Sequence, residues 1–235
     1  MPAIVDVRDA PAVRAMVEDA HREHGRLDLM FNNAGVGIGG QVDELSLEHW
    51  NRALDVNVRG VIHGVHAAYP LMLAQGFGDI VNTGSAAGLL PVPLLAPYSM
   101  SKHAVVGLSL SLRAEAADRG VKVSVVCPGV TETPILDKGN PPDLPTLQHM
   151  LSGREYLERI RKPYPASALA ADILRGVGRN RAVIIAPRAA HVQWLIQRAA
   201  PFLIERGVLK NVAWARATMG IARPAQGARA TSTSP

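Results

Sequence analysis

The fold class predicted by this sequence is α/β with a doubly wound parallel sheet, and three observations predict it. Short β-rich runs alternate with longer helical patterns along the chain. The runs are apolar throughout instead of alternating with polar residues, as strands buried on both faces must be. No internal repeat competes with that reading.

The elements follow in order. "AIVDV" (3–7) reads as the first strand-like run, and a helix is predicted from about Ala10 to Glu23. "LDLMFNN" (27–33) is the next strand. A long helical segment is expected from Ser46 to about Leu73, opened by Ser46 as N-cap with Glu48 close behind. "DIVNTGS" (79–85), a helix over about 96–118, "KVSVVCPG" (122–129) and "RAVIIAP" (181–187) continue the alternation. The span 131–165 breaks it with "GNPPDLP" and a helix-like "TLQHMLSGREYLERIRK", which is where a substrate lid is expected. The predicted organisation is a core domain over 1–187 carrying that insertion, a helical extension over 188–223 and a disordered tail over 224–235.

Composition narrows the function classes. The chain has 235 residues, 48% hydrophobic and 19% charged, which is ordinary for a soluble globular protein. It contains no apolar run of the about 18 residues that span a bilayer. The single cysteine, Cys127, rules out an internal disulfide and a multi-cysteine metal site; we expect a cytoplasmic protein and read Cys127 as a small core residue. From Arg188 onward there are seven Lys/Arg against one Asp/Glu, so the basic excess is local, and no nucleic-acid motif accompanies it. His63 and His66, three apart, suggest no metal site, and His103 is read as packing or solvent-facing.

The residues that carry chemistry sit at strand ends and in the flanking helices, where open parallel sheets bind ligands. Tyr98 and Lys102 lie four apart, so they share one helical face and can converge on one ligand. A phenol is a poor base at neutral pH, but an adjacent cation favours its phenolate. Ser85 ends a strand earlier, where its hydroxyl can hold a substrate oxygen beside the tyrosine. These roles fit proton transfer to or from an alcohol oxygen.

Together "NNAG" (32–35), "SAAGLLPVPLLAPYSMSK" (85–102) and "PGVTETPI" (128–135) resemble the motifs of the classical short-chain dehydrogenase/reductase family, over residues 4 to about 187. The resemblance implies a Rossmann-like fold and NAD or NADP as cofactor. It makes Tyr98 the general acid/base, with Lys102 lowering its pKa and holding the nicotinamide ribose. It also implies Ser85 as the substrate-orienting hydroxyl and Asn57, in "DVNVRG", as the residue completing a proton relay through a bound water. Pro128, Gly129, Val130 and Thr133 would contact the nicotinamide carboxamide. Asn33, with Ala34 and Gly35, would meet the adenosine ribose, and Asp6 and Val7 match the adenine-recognising pair. A homodimer or homotetramer is implied as well.

The family pattern opens with a strand, a TGxxxGxG turn, a helix and a second strand, and these are not in this sequence. The chain is therefore expected to be N-terminally truncated by about 50 residues, with the diphosphate donors and the residue that tells NAD from NADP outside it. "GVGIGG" (35–40) is read as a mobile active-site loop and not as a replacement.

Two functions are weighed. The first is hydride transfer between NAD(P) and an alcohol or carbonyl; Leu136, Leu144, Leu147, Met150 and Leu151 in the lid suggest a mostly apolar substrate. The second is a non-catalytic binding or scaffold subunit derived from the same family, with impaired cofactor binding. The extended sugar-nucleotide epimerase branch shares the Tyr-x-x-x-Lys pair but fits less well. The C-terminal segment mixes Trp194, Phe202 and Trp214 with basic residues; docking on the domain or on a partner is expected, in preference to contact with a membrane surface.

Overall fold

The computed structural model describes residues 3–221, so the expected tail over 224–235 lies outside the described residues. Four strands form one parallel sheet in the order β1-β2-β3-β4: β1 Leu29–Asn32, β2 Gly78–Thr83, β3 Val121–Pro128 and β4 Val183–Ala186. The register sets Phe31 beside Val81, Val81 beside Ser124 and Val126 beside Ile184.

Helix α1 (Ala10–His24) starts where the Asp9 carboxylate accepts the Ala12 N–H, and it stops at Gly25, whose φ of 68° is left-handed. The long helical segment is three pieces in succession: α2 (Leu47–Leu54), a widened π-turn (Asp55–Arg59) and α3 (Gly60–Gln75). Ser46 precedes it as expected, and its N–H donates to His49 Nδ1 at 3.2 Å. Helix α4 (Ala96–Glu115) places Pro97 in its first turn, where a missing N–H costs nothing.

Both faces of the sheet carry helices, as the apolar strands require. On one face Ile80 and Val123 pack with Val17 of α1, Ala67, Ala68 and Met72 of α3, and Leu112 and Ala116. On the other, Val81, Val126 and Ile184 meet Ile173 and Val177 of α6 (Ala166–Gly178). That second layer does not extend over β1, where Leu29 and Phe31 keep 38% and 41% of their surface.

Two expectations need correction. "AIVDV" is not a strand; Ile4 is fully exposed and residues 3–6 are irregular. A strand needs a neighbour for its N–H and C=O groups, and β1 borders only β2 among the described residues. Val7 instead gives its carbonyl to His63 Nδ1 at 2.8 Å. In the span 131–165, α5 (Gly153–Ile160) is the one α-helix, opened where Ser152 Oγ accepts the Glu155 N–H. The preceding residues instead contact the segment after β1 and the helix α2. Asn140 bonds both backbone groups of Gly39 at 2.8 and 2.9 Å, Asp143 meets Arg52, and His149 meets Glu44 at 2.5 Å.

After β4 come α7 (Arg188–Ala199) and α8 (Pro201–Thr218). No helix among the described residues is long and apolar enough to cross a membrane.

Candidate active site

Helix α4 presents Tyr98 and Lys102 one turn apart at the carboxyl ends of β2 and β3. Lys102 is 3% exposed, with Nζ donating to the Thr83 carbonyl at 2.8 Å and lying 5.6 Å from the Tyr98 ring centroid. One of three ammonium donors is thus taken by the end of β2. Burial pushes the Lys102 ammonium down from 10.5 to about 8.

Burial likewise raises the Tyr98 phenol above its ordinary value of 10.0, and the Ser85 side chain pulls the other way by bonding to it. The expected lowering of the phenol by Lys102 does not set the direction here; desolvation does. Ser85 Oγ also accepts the Ala87 N–H at 3.1 Å, so its one O–H is the group that donates, here toward the Tyr98 oxygen. Cys127 is fully buried beside this group, its thiol raised to about 12 by burial, so it is a core residue and not a nucleophile.

Asn57 lies in the π-turn, a distortion common at functional sites, and is fully buried. Its Oδ1 accepts the Val36 N–H at 2.8 Å, and its Nδ2 donates to the Val36 carbonyl and to Ser101 Oγ, both at 3.0 Å. Its amide therefore ties the loop after β1 to Ser101 of α4. Gly35 stands next to the clamp: a Cβ there would lie 3.2 Å from Asn57 Oδ1 and 3.5 Å from Lys102 Nζ. The "NNAG" turn, Asn57 and Lys102 are one cluster.

Asn33, Ala34 and Gly35 are exposed, with Asn33 Oδ1 accepting from Thr83 Oγ1 at 3.0 Å. Pro128 ends β3. Gly129 donates to the Ala186 carbonyl at 2.8 Å, the Val130 carbonyl accepts from Tyr164 N–H, and Thr133 Oγ1 bonds the Thr131 carbonyl. Asp6 and Val7 lie apart from this cluster, against α3. Asp6 pairs with Arg8 at 2.6 Å, which holds its carboxyl down at about 2, and it lines a charged surface depression with Asp55 and Arg59.

Ser101 is missing from the sequence reading. It is fully buried and ties Asn57 to the Tyr98 carbonyl, to which its hydroxyl donates at 2.7 Å. Its position immediately before Lys102 was the available signal. His63 and His66 are occupied with Val7 and Arg14, and His103 with the Ser99 carbonyl.

A parallel α/β sheet with a serine, a tyrosine and a lysine converging at its strand ends defines a protein of the short-chain dehydrogenase type. The sequence model of the short chain dehydrogenases matches residues 1–143, and the chain belongs to that family. It is 42% identical over 125 residues to a cyclohexanol dehydrogenase of Acinetobacter sp. (strain SE19), covering 53% of this chain and 50% of that one. It is 33% identical over 173 residues to the oxidoreductase UcpA of Escherichia coli O157:H7, covering 72% and 66%. The chain spans about half the length of the first curated relatives it matches. Among solved structures, a short chain dehydrogenase/reductase from Burkholderia phymatum in complex with NAD superposes with a TM-score of 0.76 at 33% identity, covering 86% of this chain and 76% of that one.

Proposed function

We propose that the chain is the catalytic part of an oxidoreductase that moves a hydride between NAD or NADP and the carbon of an alcohol or carbonyl. The observation that carries this is the Ser85–Tyr98–Lys102 cluster at the strand ends. The residues present suit the nicotinamide–ribose end of the cofactor: Lys102 keeps two free ammonium donors for ribose hydroxyls, and the Gly35 backbone brings a bare surface beside them. When bound, the cofactor supplies or accepts the hydride.

The remaining work falls to the chain. Ser85 turns its one O–H from the Tyr98 oxygen to the substrate oxygen. Tyr98 gives that oxygen a proton during reduction, or takes one during oxidation. Lys102, held charged below about pH 8, stabilises the phenolate left behind. Pro128, Gly129, Val130 and Thr133 are proposed for the carboxamide, and Asp6 and Val7 for the adenine end. Leu147 of the span 131–165 packs against Gly40, and Leu136 is buried, which supports a mostly apolar substrate. The cyclohexanol dehydrogenase named above, by its name, acts on such an alcohol.

A homodimer or homotetramer in the cytoplasm completes the reading. Ile62, Met100 and Leu110 on α3 and α4 are exposed and available for subunit pairing, which light scattering checks. The test of function is fluorescence titration with NADH and, separately, NADPH, followed by Tyr98→Phe. Saturable binding that survives the substitution while turnover disappears is expected. No binding by the folded chain refutes cofactor use by residues 1–235.

A further inference from the structure

Helix α8 is docked by its inner side only. Ala215 is fully buried, Arg216 donates to Gln41 Oε1 at 3.0 Å, and Arg159 covers the Trp214 ring at 4.4 Å. The outer side is different. Phe202, Arg206 and Leu209 recur at spacings of four and three, with Leu203 and Lys210 seven apart beside them, so all five share one arc of the helix. Phe202, Leu203 and Leu209 are 54%, 50% and 61% exposed, Arg206 and Lys210 are exposed too, and the Arg206 guanidinium lies 5.9 Å from the Phe202 ring.

We propose that this outer face of α8 lies on the surface of an anionic membrane, in the headgroup region. The mixture on one arc is the reason. A purely apolar arc would seek a protein partner, and a purely basic one would remain in water. Interleaved, the Phe202 ring and the leucines can enter the acyl boundary while the long cationic stems reach back to lipid phosphates. Charge complementarity extends beyond the arc: residues 188–221 hold five Lys/Arg and one Asp/Glu. Helix α7 leads into α8 with Val192 and Leu195 exposed beside exposed Arg188 and Arg198. A second copy is the less suitable occupant, since two-fold pairing through this arc sets cations against cations. An apolar substrate dissolved in the bilayer would then be presented close to the enzyme. The surface itself rests on no assumption about catalysis.

The experiment is flotation of the whole chain with phosphatidylcholine vesicles and with vesicles carrying about one-third phosphatidylglycerol. Binding to the anionic vesicles, weakened by salt and absent with phosphatidylcholine alone, is expected. Arg206→Gln with Lys210→Gln should weaken it about thirtyfold, from about fivefold per charge. Phe202→Ser with Leu209→Ser should abolish it, with the circular dichroism spectrum and cofactor titration unchanged. Absence of flotation, or flotation indifferent to both pairs, overturns the proposal. So does a dimer by light scattering that Phe202→Ser with Leu209→Ser turns into monomer, which would assign the face to a second copy.

Discussion

Replacing Lys102 by methionine should make the protein more stable while disabling its site. The ammonium is almost wholly buried, and its pKa falls from 10.5 to about 8 on folding. A lysine whose folded pKa lies below its unfolded one binds more protons unfolded, so it costs stability at low pH and recovers it as pH rises from about 8 toward 10.5. Integrated, the cost is about 3 kcal/mol at pH 7 and little more than about 1 kcal/mol at pH 9.5. Methionine fills the same channel without charge but forgoes the bond to the Thr83 carbonyl, worth about 1.5 kcal/mol or more from a charged donor. The net gain is at most about 1.5 kcal/mol at pH 7, or about 3–6 °C in Tm for a chain of this size, and close to nothing at pH 9.5. Thermal unfolding followed by circular dichroism at both pH values reads this directly. Equal or lower Tm for the variant at pH 7 would refute the burial argument. A gain of the same size at pH 9.5 would show that packing and not charge produced it.

Four further outcomes are expected. NADH affinity of the parent chain should weaken through one transition centred near pH 8, where Lys102 loses its proton; a flat profile across that range contradicts its proposed hold on the ribose. Asn57→Ala strands both backbone groups of Val36, and should cost about 1–3 kcal/mol and speed hydrogen exchange across the loop after β1. Gly64→Ala would set a Cβ 1.8 Å from Asn32 Oδ1, breaking the buried chain from Asn32 through Asn82 to Ser109, and a loss of about 2–4 kcal/mol in denaturant titration is expected. Asn140→Ala removes the paired bonds to Gly39 and should speed chymotryptic cleavage within 137–152 about fivefold, with cleavage elsewhere unchanged.

The fold was legible where local pattern and tertiary demand agreed. Strands apolar on both faces could be satisfied only by helices on both sides, and the structure supplies α3 and α4 on one and α6 on the other. "AIVDV" satisfied the same local rule and still failed, because strand formation depends on a neighbour's backbone and no pattern within five residues reports one. The helical period over 146–162 held only from Gly153 to Ile160 and failed before it for a related reason. Asn140, Asp143 and His149 each have partners about a hundred residues away, and contacts at that separation leave no mark on periodicity.

The site divides along the same line. Tyr98 and Lys102 were readable because helical spacing alone puts them on one face, and Ser85 because a strand end fixes its place. Asn57 was readable as a position, and the structure adds what spacing could not show: its side-chain amide ties Val36 of the loop after β1 to Ser101 of α4. The sign of the Tyr98 shift was hidden too, since a neighbouring cation lowers a phenol's pKa only if solvent does not leave with it. Here Lys102 is itself desolvated, and its charge is directed at the Thr83 carbonyl. Tyr98, half-buried, therefore rests as a phenol whose pKa lies above its ordinary value, a direction that spacing along the helix cannot report.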